Sequence, residues 1–165
     1  MIEVGIDPGA SGGIAILHRG LVTAQSMPKL SNAGATCEEL FVDIMQALKH
    51  KDKDTVVYLE QVGGYVGGGG QPGSAMFKFG QNFGMCLTVP AALDMQVVTF
   101  TPQQWQKPYG LGTVASNGGK TRWKNALKGA AQALYPEVKV TLSTADALLI
   151  LNYGHTHNAK AIIRN

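Results

Sequence analysis

Residues 55–61, TVVYLEQ, are β-branched, aromatic and apolar without interruption until Glu60. A strand with one wet face alternates polar and apolar residues, so an unbroken run of this length is the pattern of a strand covered on both faces. The chain must therefore supply helices above and below that strand. What precedes it sets the rest of the sheet. IEVGID at 2–7, GIAILH at 13–18 and LVTAQS at 21–26 are short apolar runs. Turn-rich PGASG and Arg19-Gly20 separate them, a spacing that predicts an antiparallel meander.

Helical signals fill the intervals. TCEELFVDIMQALKH, 36–50, opens with Thr36 and Glu39 in capping-box spacing and places Leu40, Ile44, Ala47 and Leu48 on one stripe. After the glycine-rich stretch that begins at Gly63, Ser74 can cap a helix of about 75–89, with Gly80 and Gly84 on one side. Each glycine costs such a helix about 1 kcal/mol against alanine, so a close approach is expected there. MQVVTF, 95–100, predicts a further strand, and Thr101-Pro102 starts a short helix through Trp105. The loop KPYGLGTVASNGG leads into a basic helix over 120–134. STADALLILNYG, 143–154, predicts an apolar helix with Ser143 or Thr144 as cap and Gly154 as stop. The order β-β-β-α-β-α-β and then helices implies an α/β fold. Its sheet is mixed and five-stranded, three antiparallel strands followed by parallel ones, with helices on both faces. One domain is expected over 1–154, with 155–165 as a tail.

Composition narrows the class. The 165 residues are 45% apolar and 15% charged, a globular balance, and no apolar run reaches the roughly 20 residues of a membrane span. MIEVGID has no basic n-region, and Cys37 and Cys86 lack metal-site spacing. Both features favour an intracellular protein with reduced thiols. Charge is divided unevenly. Residues 1–100 carry six Lys/Arg against nine Asp/Glu, whereas 101–165 carry eight against two. Lys120, Arg122, Lys124 and Lys128 fall within nine residues, which suits either a polyanionic partner or a solvated helix face.

Three acids stand inside apolar sequence: Asp7 at the end of the first run before Pro8-Gly9, Glu60 near the end of the fourth, and Asp146 in TADALLI. Singly, Asp7 can cap its turn, Glu60 can pair with a lysine, and Asp146 can serve a helix N-terminus. Jointly they point elsewhere, because a buried carboxylate is costly unless a positive charge compensates it. A cation is the economical solution. An all-oxygen set completed by water suits Mg²⁺ or Mn²⁺ rather than zinc.

IEVGIDPGASGGIAIL, VVYLEQV, SAMFKFGQNFGM and STADALLI, in this order and spacing, resemble a RuvC-type Holliday-junction resolvase. The AMFKFGQNFG stretch and the last helix look like the branch found in phages and chloroplasts. The resemblance covers roughly residues 1–154 and implies a ribonuclease-H-like fold. It also implies a homodimer that nicks four-way DNA junctions symmetrically with divalent metal. Asp7, Glu60 and Asp146 match the family's metal-binding acids, and Lys120 matches a lysine close to the scissile phosphate. Two metals about 3.5–4 Å apart would share Asp7 as ligand. Lys78, Lys107, Arg122, Lys124 and Lys128 become candidate phosphate contacts. Tyr65 would stack on an opened base or anchor its own loop. Trp105, Tyr109 and Trp123 suit core or loop anchors better than base stacking, and the four histidines lie outside the acid set. One position departs from the family pattern. Ser143 stands where a fourth acid is usual, so either three carboxylates suffice or the serine reaches a less tightly held metal through water.

Rival readings remain at this level. GIDPGASGGIAI is also similar to the first phosphate-binding turn of sugar kinases and actin-like ATPases, which need a second domain to close over nucleotide. NGGKT at 117–121 fails as a phosphate loop, because the pattern wants glycine where Val114 stands and a strand just before it. A protein that binds junctions without cutting them is the alternative that Ser143 raises.

Overall fold

The computed structural model describes residues 1–30, 36–63 and 73–162, with side chains as far as His157. In chain order the elements are β1 (Ile2–Asp7), β2 (Gly13–His18), β3 (Leu21–Ser26), α1 (Glu38–Lys51), β4 (Thr55–Glu60) and α2 (Gly73–Ala92). They continue with β5 (Gln96–Phe100), α3 (Pro102–Gln106), a 3-10 turn over Lys107–Tyr109, α4 (Lys120–Leu134) and α5 (Ala145–Ile162). The five strands form one sheet in the order β3-β2-β1-β4-β5. β1–β2 and β2–β3 are antiparallel, while β1–β4 and β4–β5 are parallel.

The strand period of two explains the layering. Ile2, Val4 and Ile6 of β1, with Val57 and Leu59 of β4, face a core completed by Phe41, Met45 and Leu48 of α1 and Cys86 of α2. Val56 and Tyr58 of β4 and Ala15 of β2 point the other way. That second core holds Trp105 of α3, Leu127 and Ala131 of α4, and Ala145 with Ala147–Leu151 of α5. β4 is thus apolar on both faces, as its unbroken sequence requires.

Contact between α5 and the sheet is unusually close because two positions lack a side chain. A Cβ on Gly5 would meet the Ala147 carbonyl and come within 2.7 Å of Leu151. A Cβ on Gly154 would enter the Tyr58 ring. Gly154 is therefore a packing residue, not a helix stop. α5 continues through residues 155–162, where the sequence reading saw an unorganised tail. His155 belongs to this extension, and its Nδ1 lies 2.7 Å from Oε2 of Glu3, a carboxylate only 4% exposed on β1.

Other local expectations change for identifiable reasons. α1 starts after Cys37 with no side-chain cap, because the Thr36 hydroxyl is engaged by Asn82 instead. Its buried face is Phe41, Met45 and Leu48, one position from the expected stripe, and Leu40 is exposed. Gly80 and Gly84 meet no close approach among the described residues. α5 begins at Ala145, so Ser143 and Thr144 lie in the turn before it. The anchor assignments hold. Trp105 is fully buried, Trp123 packs on the same core, and the Tyr109 hydroxyl donates to the Leu149 carbonyl at 2.8 Å. Among the described residues no helix is long and apolar enough to cross a membrane.

Gly154→Ala separates helix propensity from packing. Propensity alone would stabilise the helix by about 1 kcal/mol. The clash with Tyr58 should instead destabilise the protein by about 1–3 kcal/mol, the usual cost of overpacking a core. Chemical denaturation checks the sign.

Candidate acid site

Parallel pairing of β1 with β4 brings their carboxyl ends to the same edge of the sheet. Ile6 pairs with Leu59, and Asp7 and Glu60 follow immediately on each strand. The third acid arrives from α5, laid across β1 at Gly5, with Asp146 in its first turn and only 4% exposed. Neighbouring strand ends in an α/β sheet are where ligands bind in such folds.

The turn after β1 admits only small residues. Gly9 has φ +105°, a left-handed conformation that side chains rarely adopt, and the Phe79 ring of α2 lies 3.1 Å from where its Cβ would be. A Cβ on Gly12 would strike the Asp7 carbonyl, and one on Gly13 the Ser143 carbonyl. The Gly12 N–H closes the turn on the Gly9 carbonyl at 3.0 Å. PGASGG therefore brings Asp7 close to the start of α5 at the cost of three glycine-restricted positions.

The three carboxyls act on one another. Burial pushes the Asp7 carboxyl well above the ordinary carboxylate range, with the charges of Asp146 and Glu60 adding to the effect. Burial and the Asp146 charge push Glu60 up to about 7. Lys124 of α4 supplies the opposing charge. Its Nζ donates to Asp146 Oδ2 and lies 5.4 Å from the Trp123 ring centroid. Burial works to lower the Lys124 pKa, but Asp146, Asp7 and Glu60 raise it overall.

Asp146 Oδ1 is buried and has no hydrogen-bond partner among the described residues. Nor do the described residues contain three or more His, Cys, Asp or Glu side chains already grouped to hold a metal ion. The Lys124 ammonium opposes part of the negative charge of the three acids in this arrangement.

The remaining sequence candidates are dispersed around this centre. Lys120 is exposed at the first position of α4, one turn before Lys124. Arg122 is exposed and Lys128 half-buried on the same helix; Lys107 is exposed at the 3-10 turn. Lys78 is exposed on α2 and lines a cavity of about 540 Å³ beside the Pro8-Gly9 turn, together with Lys29, Phe79 and Asn82. Ser143 bonds through its hydroxyl to Ser26 at 2.7 Å and to Thr141 at 2.9 Å. It precedes α5 and so does not share a helix face with Asp146. Tyr65 lies outside the described residues.

Lys124, expected as a phosphate contact, also pairs with Asp146, a partnership its place in the basic helix does not reveal. Asn82 is the residue without a sequence-based expectation; an amide at a buried helical position inside FGQNFGM is its available signal.

No family model and no curated protein matches this chain. Solved structures do match. Thermus thermophilus RuvC in complex with a Holliday-junction substrate is 17% identical with a TM-score of 0.61, over 97% of this chain and 96% of that one. A second T. thermophilus RuvC structure is 18% identical with a TM-score of 0.58, over 98% and 97%. The chain has the ribonuclease-H-like fold of these proteins along nearly its whole length.

The raised carboxyl pKa values make a signed prediction for the metal-free protein. Glu60 has an ordinary value of 4.5 and is pushed up to about 7, so between these values the folded state holds a proton that the unfolded state has lost. Stability from Glu60 is present below 4.5 and falls as pH rises through about 7, and Asp7 acts in the same direction. In EDTA, Tm should drop between pH 5 and 8, and Glu60→Gln should flatten that dependence. A rising Tm unaffected by the substitution would contradict the assignment.

Proposed function

We propose that this chain is a RuvC-type resolvase, an endonuclease that nicks four-way DNA junctions symmetrically with Mg²⁺ or Mn²⁺. The observation that carries the reading is the convergence of Asp7, Glu60 and Asp146 at the carboxyl edge of β1 and β4. It occurs within a fold shared over its full length with a protein solved on a Holliday junction.

The donor set fits a hard divalent cation. Asp146 Oδ1 lacks a donor among the described residues, and burial pushes the Asp7 and Glu60 carboxyls above the ordinary carboxylate range, a cost that a bound cation would offset. Asp7, Glu60 and Asp146 would hold the ions, two per site. Such ions would supply an activated water and charge neutralisation at the leaving 3′ oxygen. The chain's own residues do the rest. The Lys124 ammonium, freed from Asp146, and Lys120 one turn away stabilise negative charge on the scissile phosphate. Lys78, Lys107, Arg122 and Lys128 hold the DNA backbone by charge, without reading sequence. Tyr65 is the residue proposed to stack on a base at the junction centre. Ser143 acts through its hydroxyl contacts or through a water, in place of a fourth acid.

Symmetrical nicking needs two sites, and α2 offers a face for a second copy. Phe77 is 68% exposed and Leu87 36% exposed, and the intervening Gly80 and Gly84 meet no heavy atom that would restrict a Cβ among the described residues. Small residues flanked by exposed apolar ones allow two helices to approach closely. A resolvase role implies work inside the cell, where four-way DNA junctions arise.

A labelled four-way junction with Mg²⁺ tests the whole reading. Paired, symmetrically placed nicks are expected, and EDTA should abolish them. Asp7→Asn should slow nicking about a hundredfold or more, the scale of losing one electrostatic stabiliser at a phosphoryl centre. Junction affinity should stay within about threefold. Junctions shifted but left intact by the unsubstituted protein would favour a binding module instead.

A further inference from the structure

Asn82 is 5% exposed on α2 and joins three separate parts of the molecule. The Gly9 N–H donates to Asn82 Oδ1, and Asn82 Nδ2 donates to the Thr36 hydroxyl at 2.7 Å. Phe79, one turn earlier on the same helix face, closes over Gly9. Gly9 in turn accepts from Gly12 across the turn that leaves Asp7. The backbone bearing Asp7 is therefore held from inside by Gly12 and from outside by one amide.

We propose, resting on the nuclease reading, that Asn82 is a positioning residue. It fixes the Asp7-Pro8-Gly9 turn against α2 and the start of α1, so that the Asp7 carboxyl meets Glu60 and Asp146 at the distance the reaction needs. The chemistry selects this side chain. Gly9 requires an acceptor and Thr36 offers one, and an amide supplies both an acceptor and a donor without adding charge. A carboxylate would bury a further negative charge near Asp7, and an aliphatic side chain would leave the Gly9 N–H buried and unpaired. Gly9 cannot hold itself in place by packing, because it has no side chain and its φ lies where the chain gains nothing from rigidity. Asn82 touches no reacting atom and acts through Asp7.

Asn82→Leu keeps the branched outline of the side chain and removes its bonds to Gly9 and Thr36 together with the weak Cys86 contact; Thr36→Val removes only the bond between Asn82 and Thr36. Two readouts separate positioning from general stability. Amide hydrogen exchange at Gly9, followed by NMR without DNA, should quicken about tenfold or more in Asn82→Leu, while the amides of Val4 and Val57 stay unchanged. The single-turnover nicking rate at saturating protein should fall about tenfold or more, because small misplacements of a reacting group are costly in rate. Junction Kd should remain within about twofold. Thr36→Val should show both effects in weaker form, and it decides the matter if Asn82→Leu does not fold. Unchanged Gly9 exchange, or a nicking rate per folded molecule within twofold of the unsubstituted protein, overturns the proposal. So does a loss in Kd that accounts for the whole loss in rate. An unsubstituted protein that cuts no junction sinks the nuclease reading instead, and Gly9 exchange then decides whether Asn82 holds the turn.

Discussion

Three carboxylates meeting at one sheet edge would repel one another and lose hydration, and each such loss costs several kcal/mol when uncompensated. The ion pair between Lys124 and Asp146 answers that problem in the metal-free chain. It ties α4 to α5 at the same place where α5 is pressed onto β1. Burial pushes the Asp7 and Glu60 carboxyls above the ordinary carboxylate range, and one ammonium among three acids leaves charge uncompensated. Strand ends, a glycine-restricted turn and a helix start must therefore all be fixed closely to keep the acids neighbours.

The supporting architecture is built by omission of side chains as much as by their packing. Gly5 and Gly154 let α5 lie on the sheet, and Gly9, Gly12 and Gly13 let the chain leave β1 beside the start of that helix. Asp146 therefore reaches the β1–β4 edge by close backbone approach. Behind this surface Cys86 is buried, and burial together with the Asp7 charge pushes its thiol up to about 12. It is an inert part of the core.

The mixed sheet with its antiparallel meander, both helical layers and the three acids inside apolar runs are legible in the sequence because each has a local signature. The unbroken TVVYLE run, the meander spacing and the acids inside apolar runs need no knowledge of distant residues. Partnerships were not legible. Thr36 reads as a cap until Asn82, 46 residues away, engages its hydroxyl. Gly154 reads as a helix stop until Tyr58 is found beneath it, and Lys124 reads as one more basic residue until α4 and α5 pack together. Gly80 and Gly84 show the converse, glycines that suggested close packing yet face nothing among the described residues. In each case tertiary contact assigns the residue a use that its neighbours in sequence do not specify.

At the centre of the proposed function, divalent ions held by Asp7, Glu60 and Asp146 take the place of the Lys124 ammonium. Crystals grown with Mn²⁺ and measured at its absorption edge test this directly. The account predicts anomalous density within about 2.1–2.2 Å of carboxylate oxygens of Asp7, Glu60 and Asp146, with Lys124 withdrawn from Asp146. A data set with no peak among the three carboxylates, and Lys124 still bonded to Asp146 at saturating Mn²⁺, would contradict it.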